Sequence, residues 1–179
     1  MATKKRLIPN WAVLPGIAVI GLFIWQKLKP GQKVNPLSWL TSNAFHHIGQ
    51  QNKIRIDSKG NGRFGSSRGN HVHNGIDLVV TPDETIFSPI SGKVVRYGVP
   101  YDNDSRYSGI HIQNDEYLVK IFYMLPSVQP GQYVTRGQAI GTAQKISTKY
   151  GGGMIDHVHV EVWPGGRAPA VDPGPLFGV

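Results

Sequence analysis

From Ile54 onward the chain is built of short runs rich in β-branched residues, cut at regular intervals by Gly, Pro, Asn and Asp. Few folds satisfy such a pattern, because runs this short cannot make helices that bury a face, whereas paired strands can. The residues 85–87, 92–97, 109–113, 117–124 and 154–163 read as strands. Pro82-Asp83, Pro100 to Asp104, Asn114-Asp115-Glu116 and Pro130-Gly131-Gln132 read as turns, each carrying residues that favour a chain reversal. No segment of this region has helical periodicity, and there is no internal repeat. The expectation is an all-β domain, an antiparallel sheet or sandwich, over residues 62–179.

Within the last predicted strand stands His157-Val158-His159, followed by Glu161. Side chains two apart on a strand point the same way. Two imidazoles on one face make a poor core and a good metal or acid/base site. An earlier segment, His73-Asn74-Gly75-Ile76-Asp77, adds a second histidine source and a carboxylate. The chain has no cysteine, so neither disulfides nor thiolate ligands are available. The remaining His and Asp donors suit zinc or a similar divalent ion. Glu161 either orients a histidine or forms a surface salt bridge, and Asp156 reads as a turn or surface residue. His46-His47 reads as a solvated pair.

Several separated segments surround these motifs in a fixed order: Gly62-Arg63-Phe64-Gly65, Ser88 to Val95, and Val134 to Gly141. Together they resemble the lysostaphin/LytM-type zinc metallopeptidases, which cut peptide cross-bridges in bacterial peptidoglycan. The resemblance runs from about Gly62 to about Pro173. It implies zinc held by His73, Asp77 and His159, with His157 as a catalytic histidine. It also implies an antiparallel sheet with a groove over one face, rimmed by Gly151-Gly152-Gly153. The family has a second catalytic histidine in a Tyr-x-His-Leu motif. The matching segment here reads Phe122-Tyr123-Met124-Leu125, which puts Met124 where that histidine is expected. A thioether cannot move a proton as imidazole does, so reduced activity is implied. A secreted vertebrate branch of the same fold also lacks this histidine and is regarded as binding, not cutting. His111 reads as a solvent-facing strand residue, with a place facing the groove as its alternative.

The formal charge is +8, which attracts anionic partners, but no nucleic-acid motif accompanies it. Part of the excess is local: Lys4, Lys5 and Arg6 precede, and Lys27 and Lys29 follow, an apolar run from Trp11 to Trp25. Fifteen residues rise about 22 Å as a helix, short of a hydrocarbon core of roughly 30 Å. Flanking Leu7, Ile8 and Leu28 lengthen the run, and Trp residues bound it as in interfacial belts. Gln26-Lys27-Leu28-Lys29-Pro30 makes no signal-peptidase site. Residues 1–29 are therefore expected to be an uncleaved transmembrane anchor with the domain outside. Residues 30–61 are expected to be a tether, with a short amphipathic helix between Leu37 and Ile48. Three functions follow as alternatives: a membrane-anchored peptidoglycan endopeptidase, an inactive zinc-binding module that contacts the wall or a protein partner, and a component of a phage virion.

Overall fold

On the strand His157–Pro164, Val158, Val160 and Val162 are fully buried while the residues between them turn to the opposite face. That alternation organises the domain. In the computed structural model, which describes residues 45–179, eleven strands are arranged in three antiparallel sheets. The strands are β1 (Ile56–Asp57), β2 (Gly60–Asn61), β3 (Ile76–Val79), β4 (Thr85–Phe87), β5 (Gly92–Gly98), β6 (Gly109–Gln113), β7 (Tyr117–Phe122), β8 (Met124–Pro126), β9 (Tyr133–Val134), β10 (Ala139–Ala143) and β11 (His157–Pro164). Two single-turn helices, α1 (Ser147–Tyr150) and α2 (Gly174–Phe177), complete them.

The main sheet has the order β3-β11-β7-β6-β5-β9, and a smaller sheet the order β4-β10-β8. Ile76 and Leu78, Val119 and Ile121, Ile110 and Ile112, and Val94 join the β11 valines in one apolar layer. Ile86, Ile140, Met124 and Ala143 of the smaller sheet belong to the same cluster. Each such aliphatic side chain contributes roughly 1.5–3 kcal/mol on burial. The opposite face of the main sheet carries the polar residues, so apolar packing on one side presents His157, His159 and Glu161 together on the other.

Residues 45–61, assigned above to the tether, are part of this domain. Phe45 and Ile48 are buried in the core, and Phe45 meets Tyr117 and Phe177 edge to face at 5.3 Å. The Phe45 amide donates to the Leu176 carbonyl at 3.1 Å. Residues 45–48 are not helical; the His46 amide donates to the Pro89 carbonyl at 2.9 Å, a pairing outside any helix. The β1–β2 hairpin lies beside the free edge of β3: the Arg55 amide donates to the Asp77 carbonyl, and the Asp77 amide to the Gly62 carbonyl. The expected anchor, and the tether up to residue 44, lie outside the described residues. Among the described residues no helix is long and apolar enough to cross a membrane.

The strand predicted over 117–124 is interrupted. Tyr123 has φ +64°, a left-handed conformation that costs a non-glycine residue roughly 1–2 kcal/mol. Its amide donates to the Ser108 carbonyl, and its own carbonyl accepts from the Gln144 amide, both at 2.9 Å. These bonds hold the kink at which β7 ends and β8 begins.

Candidate metal centre and groove

Antiparallel pairing sets His159 opposite Asp77 across β11 and β3. His73 comes from the segment leading into β3. Gly75 lets that segment lie close to β11, since a Cβ there would collide with the Val160 carbonyl and crowd the His159 ring. Nε2 of His73, Oδ1 of Asp77 and Nδ1 of His159 converge. His73 Nε2 lies 2.9 Å from His159 Nδ1, and Asp77 Oδ1 lies 3.1 and 3.0 Å from those two nitrogens. One ligand atom from each residue lies within 4.8 Å of the others, a group that could hold a metal ion.

The far side of each ligand is also held. His73 Nδ1 donates to the Arg63 carbonyl at 2.9 Å, which turns Nε2 inward. Asp77 Oδ2 accepts from Arg55 Nε and Nη2 at 3.2 and 3.0 Å and from Arg68 at 3.2 Å. His159 Nε2 faces Glu161 Oε1 at 3.4 Å. Ligands fixed from behind in this way keep their inward atoms aimed at one point. Glu161 serves both roles left open by the sequence, because Lys120 and the Trp163 indole also donate to it, at 3.0 and 2.8 Å. Asp156 caps α1, accepting from the Ser147 amide at 2.7 Å.

The electrostatics favour a cation. Burial would raise the Asp77 carboxyl, but hydrogen bonds from His159 and His73 outweigh it and hold the group well below the usual range. Burial disfavours a charged His159, yet hydrogen bonds to Asp77 and Glu161 push it up to about 9. The same carboxylate field stabilises any positive charge at this point. His157 behaves differently. Burial depresses it, its Nδ1 donates to the Ile155 carbonyl at 2.7 Å, and its Nε2 lies 3.8 Å from Asp77 Oδ1. It is a neutral imidazole with its lone pair facing the cluster.

These side chains lie in a groove of about 710 Å³, a size suited to a small ligand or a few residues of a peptide. Tyr101, Tyr123, Tyr150 and Phe122 form an aromatic wall, and Lys59, Arg68 and His71 add cationic and polar groups.

Met124 is not in the groove. It is fully buried in the core. Straight alternation along β7 would send Phe122 and Met124 to the groove face and Tyr123 to the core. The left-handed turn at Tyr123 shifts the phase by one residue. Tyr123 therefore lies on the groove, its ring edge-on to His157 at 5.4 Å between centroids, and Met124 enters the core. Burial pushes the Tyr123 phenol up to about 12, so it carries its proton at neutral pH. His111 is also not solvent-facing. It is buried against Phe122, with rings edge to face at 5.7 Å. Its Nδ1 accepts from Arg96 Nε at 3.2 Å. Sequence reasoning missed Tyr123 and Arg55: the kink is set by the hydrogen bonds to the Ser108 carbonyl and from the Gln144 amide, and Arg55 reaches Asp77 only through the hairpin's docking.

An antiparallel β-groove with convergent histidines and a carboxylate is the arrangement of a metallopeptidase fold. The chain belongs to peptidase family M23, whose model matches residues 71–173. It is 33% identical over 112 residues to leukocyte cell-derived chemotaxin-2 of Mus musculus, covering 62% of this chain and 73% of that protein. The Bos taurus protein of the same name is 29% identical with the same coverage. Among solved structures, the antimicrobial peptidase lysostaphin from Staphylococcus simulans superposes with a TM-score of 0.54 at 24% identity, over 74% of this chain and 54% of that one. That likeness shows a shared fold.

Proposed function

We propose that this protein is a membrane-anchored, zinc-dependent endopeptidase of reduced activity that acts on peptide cross-bridges of bacterial peptidoglycan. The observation that supports it most is the convergence of His73 Nε2, Asp77 Oδ1 and His159 Nδ1, each fixed from behind, with His157 Nε2 beside them. The donor set fits zinc, which takes nitrogen and oxygen ligands and in catalytic sites keeps a position open. His73, Asp77 and His159 would hold it, and it would supply Lewis-acid polarisation of the peptide carbonyl. His157 accepts the proton of the attacking water at Nε2 and passes it to the leaving amine. The aromatic wall excludes water and orients the peptide.

Met124, at the sequence position where the related peptidases are expected to carry a second catalytic histidine, is buried in the core, and this favours a second reading: a zinc-binding module that contacts the wall or a protein partner without turnover. Two measurements separate these readings. Metal analysis of the full-length protein should find stoichiometric zinc. Zymography on purified peptidoglycan should show clearing that a chelator removes and added zinc restores. Stoichiometric zinc without clearing selects the binding module, and absence of bound zinc overturns both.

A further inference from the structure

We propose that Tyr123 is a catalytic residue of this protein, its phenol hydroxyl donating to the carbonyl oxygen as negative charge develops there. The inference rests on the peptidase reading above. The kinked backbone is the first support. A left-handed non-glycine residue persists where the surroundings enforce it, and such residues cluster at functional sites. Here the kink moves a tyrosine out of the core and sets its ring against His157.

The direction of the hydroxyl chain is the second support. Tyr101 donates its hydroxyl proton to Tyr123 at 3.0 Å. A phenol has one proton, so Tyr101 must accept at its other contact, the Tyr150 hydroxyl 2.8 Å away. The order is Tyr150 to Tyr101 to Tyr123, and among the described residues nothing takes the Tyr123 proton. Each donor in such a chain is polarised by the one behind it. Tyr123 lines the same groove as His73, Asp77, His157 and His159. The chain is held rigidly: Tyr101 stacks on Tyr123 with centroids 6.0 Å apart, and Lys149 lies 4.1 Å over the Tyr101 ring while paired with Asp104 at 2.8 Å. A donor fixed before the reaction begins stabilises an oxyanion without reorganising.

In the step itself, the water oxygen bonds to the carbonyl carbon, and the carbonyl electron pair moves onto its oxygen, which accepts the Tyr123 hydrogen bond. The water proton passes to His157. When the carbon–nitrogen bond breaks, the electron pair on oxygen returns to re-form the carbonyl and His157 protonates the amine. Tyr123 keeps its proton throughout.

The test uses the full-length protein, with zinc content measured for every variant. The probes are a cross-linked muropeptide from purified peptidoglycan and its phosphinic analogue, in which a tetrahedral anionic phosphorus replaces the cross-link carbonyl; binding is read by calorimetry. The zinc-loaded wild type should prefer the phosphinic analogue. Tyr123→Phe should lose about 10²-fold of that affinity, the scale for one oxyanion donor, while muropeptide affinity and zinc content hold. Tyr101→Phe, which removes only the polarising donor, should lose less, and Tyr123→His should keep the preference. A wild type without the preference, or a Tyr123→Phe variant that retains it, overturns the role of Tyr123 and leaves the peptidoglycan reading standing. A zinc-loaded wild type that binds neither probe overturns both.

Discussion

Asp77 gathers four basic side chains onto one carboxyl group: Arg55 and Arg68 on Oδ2, His73 and His159 on Oδ1. A buried carboxylate is tolerable only when surrounded in this way, and the arrangement leaves one oxygen facing the groove. Met124 shows the opposite constraint. Because it is fully buried among aliphatic side chains, Met124→His would put an imidazole where nothing can bond it. We expect a loss of about 2–4 kcal/mol in thermal or denaturant unfolding, with no gain in peptidoglycan cleavage. His111 carries a pH signature. Burial, with the nearby cations Arg96 and Lys120, depresses it to about 4 against a weaker opposing pull from Glu161. Its folded-state value lies below its unfolded one, so the unfolded chain binds the extra proton. The neutral residue's contribution is intact above about pH 6.5 and drains away as pH falls toward about 4, by at most about 3 kcal/mol. Replacing His111 with Leu should flatten the stability–pH curve across that window. An unchanged curve would show that His111 does not titrate as the fold implies.

Among the elements, the β3–β11 pair builds the metal centre, because its register sets Asp77 against His159. Gly75 permits the approach. A Cβ there meets the Val160 carbonyl, so Gly75→Ala should force the two strands apart. The expected cost is about 1–3 kcal/mol of stability, together with weaker zinc retention in competition with a chelator. Full retention would mean that the pair adjusts without moving its ligands. The strands over 85–87 and 109–113 were legible residue for residue, since alternation and flanking turn residues agree there. The break at Tyr123 was not, because the run from Tyr117 to Met124 keeps strand composition across it. The contacts that enforce the turn involve Ser108, just before β6, and Gln144, just after β10.

Across the whole molecule, the matched family region begins at residue 71, yet the domain draws on Phe45, Ile48 and Arg55 well before it. A chain cut at residue 62 would lose a core aromatic and Arg55, one of the charge partners of Asp77. The compact unit runs Ser42–Val179. The basic, Trp-bounded apolar run before it motivates a prediction about location. Full-length protein should sediment with membranes and resist carbonate extraction, and deletion of residues 1–41 should release it. Full-length protein recovered as a detergent-free monomer would rule out the anchor.

Strand alternation, turn chemistry and donor type are local properties, which is why an all-β antiparallel domain and two separate donor motifs, His73 with Asp77 and His157 with His159, could be read from the chain alone, while their union in one site was what the family resemblance implied. Three matters belong to the tertiary structure. The hairpin's place beside β3 delivers Arg55 to Asp77. The packing of the first described residues on α2 decides where the domain begins. The left-handed turn at Tyr123 decides which side chain faces the groove: a single backbone rotation inverts every later face assignment, and its cause is a pair of hydrogen bonds with residues distant in sequence.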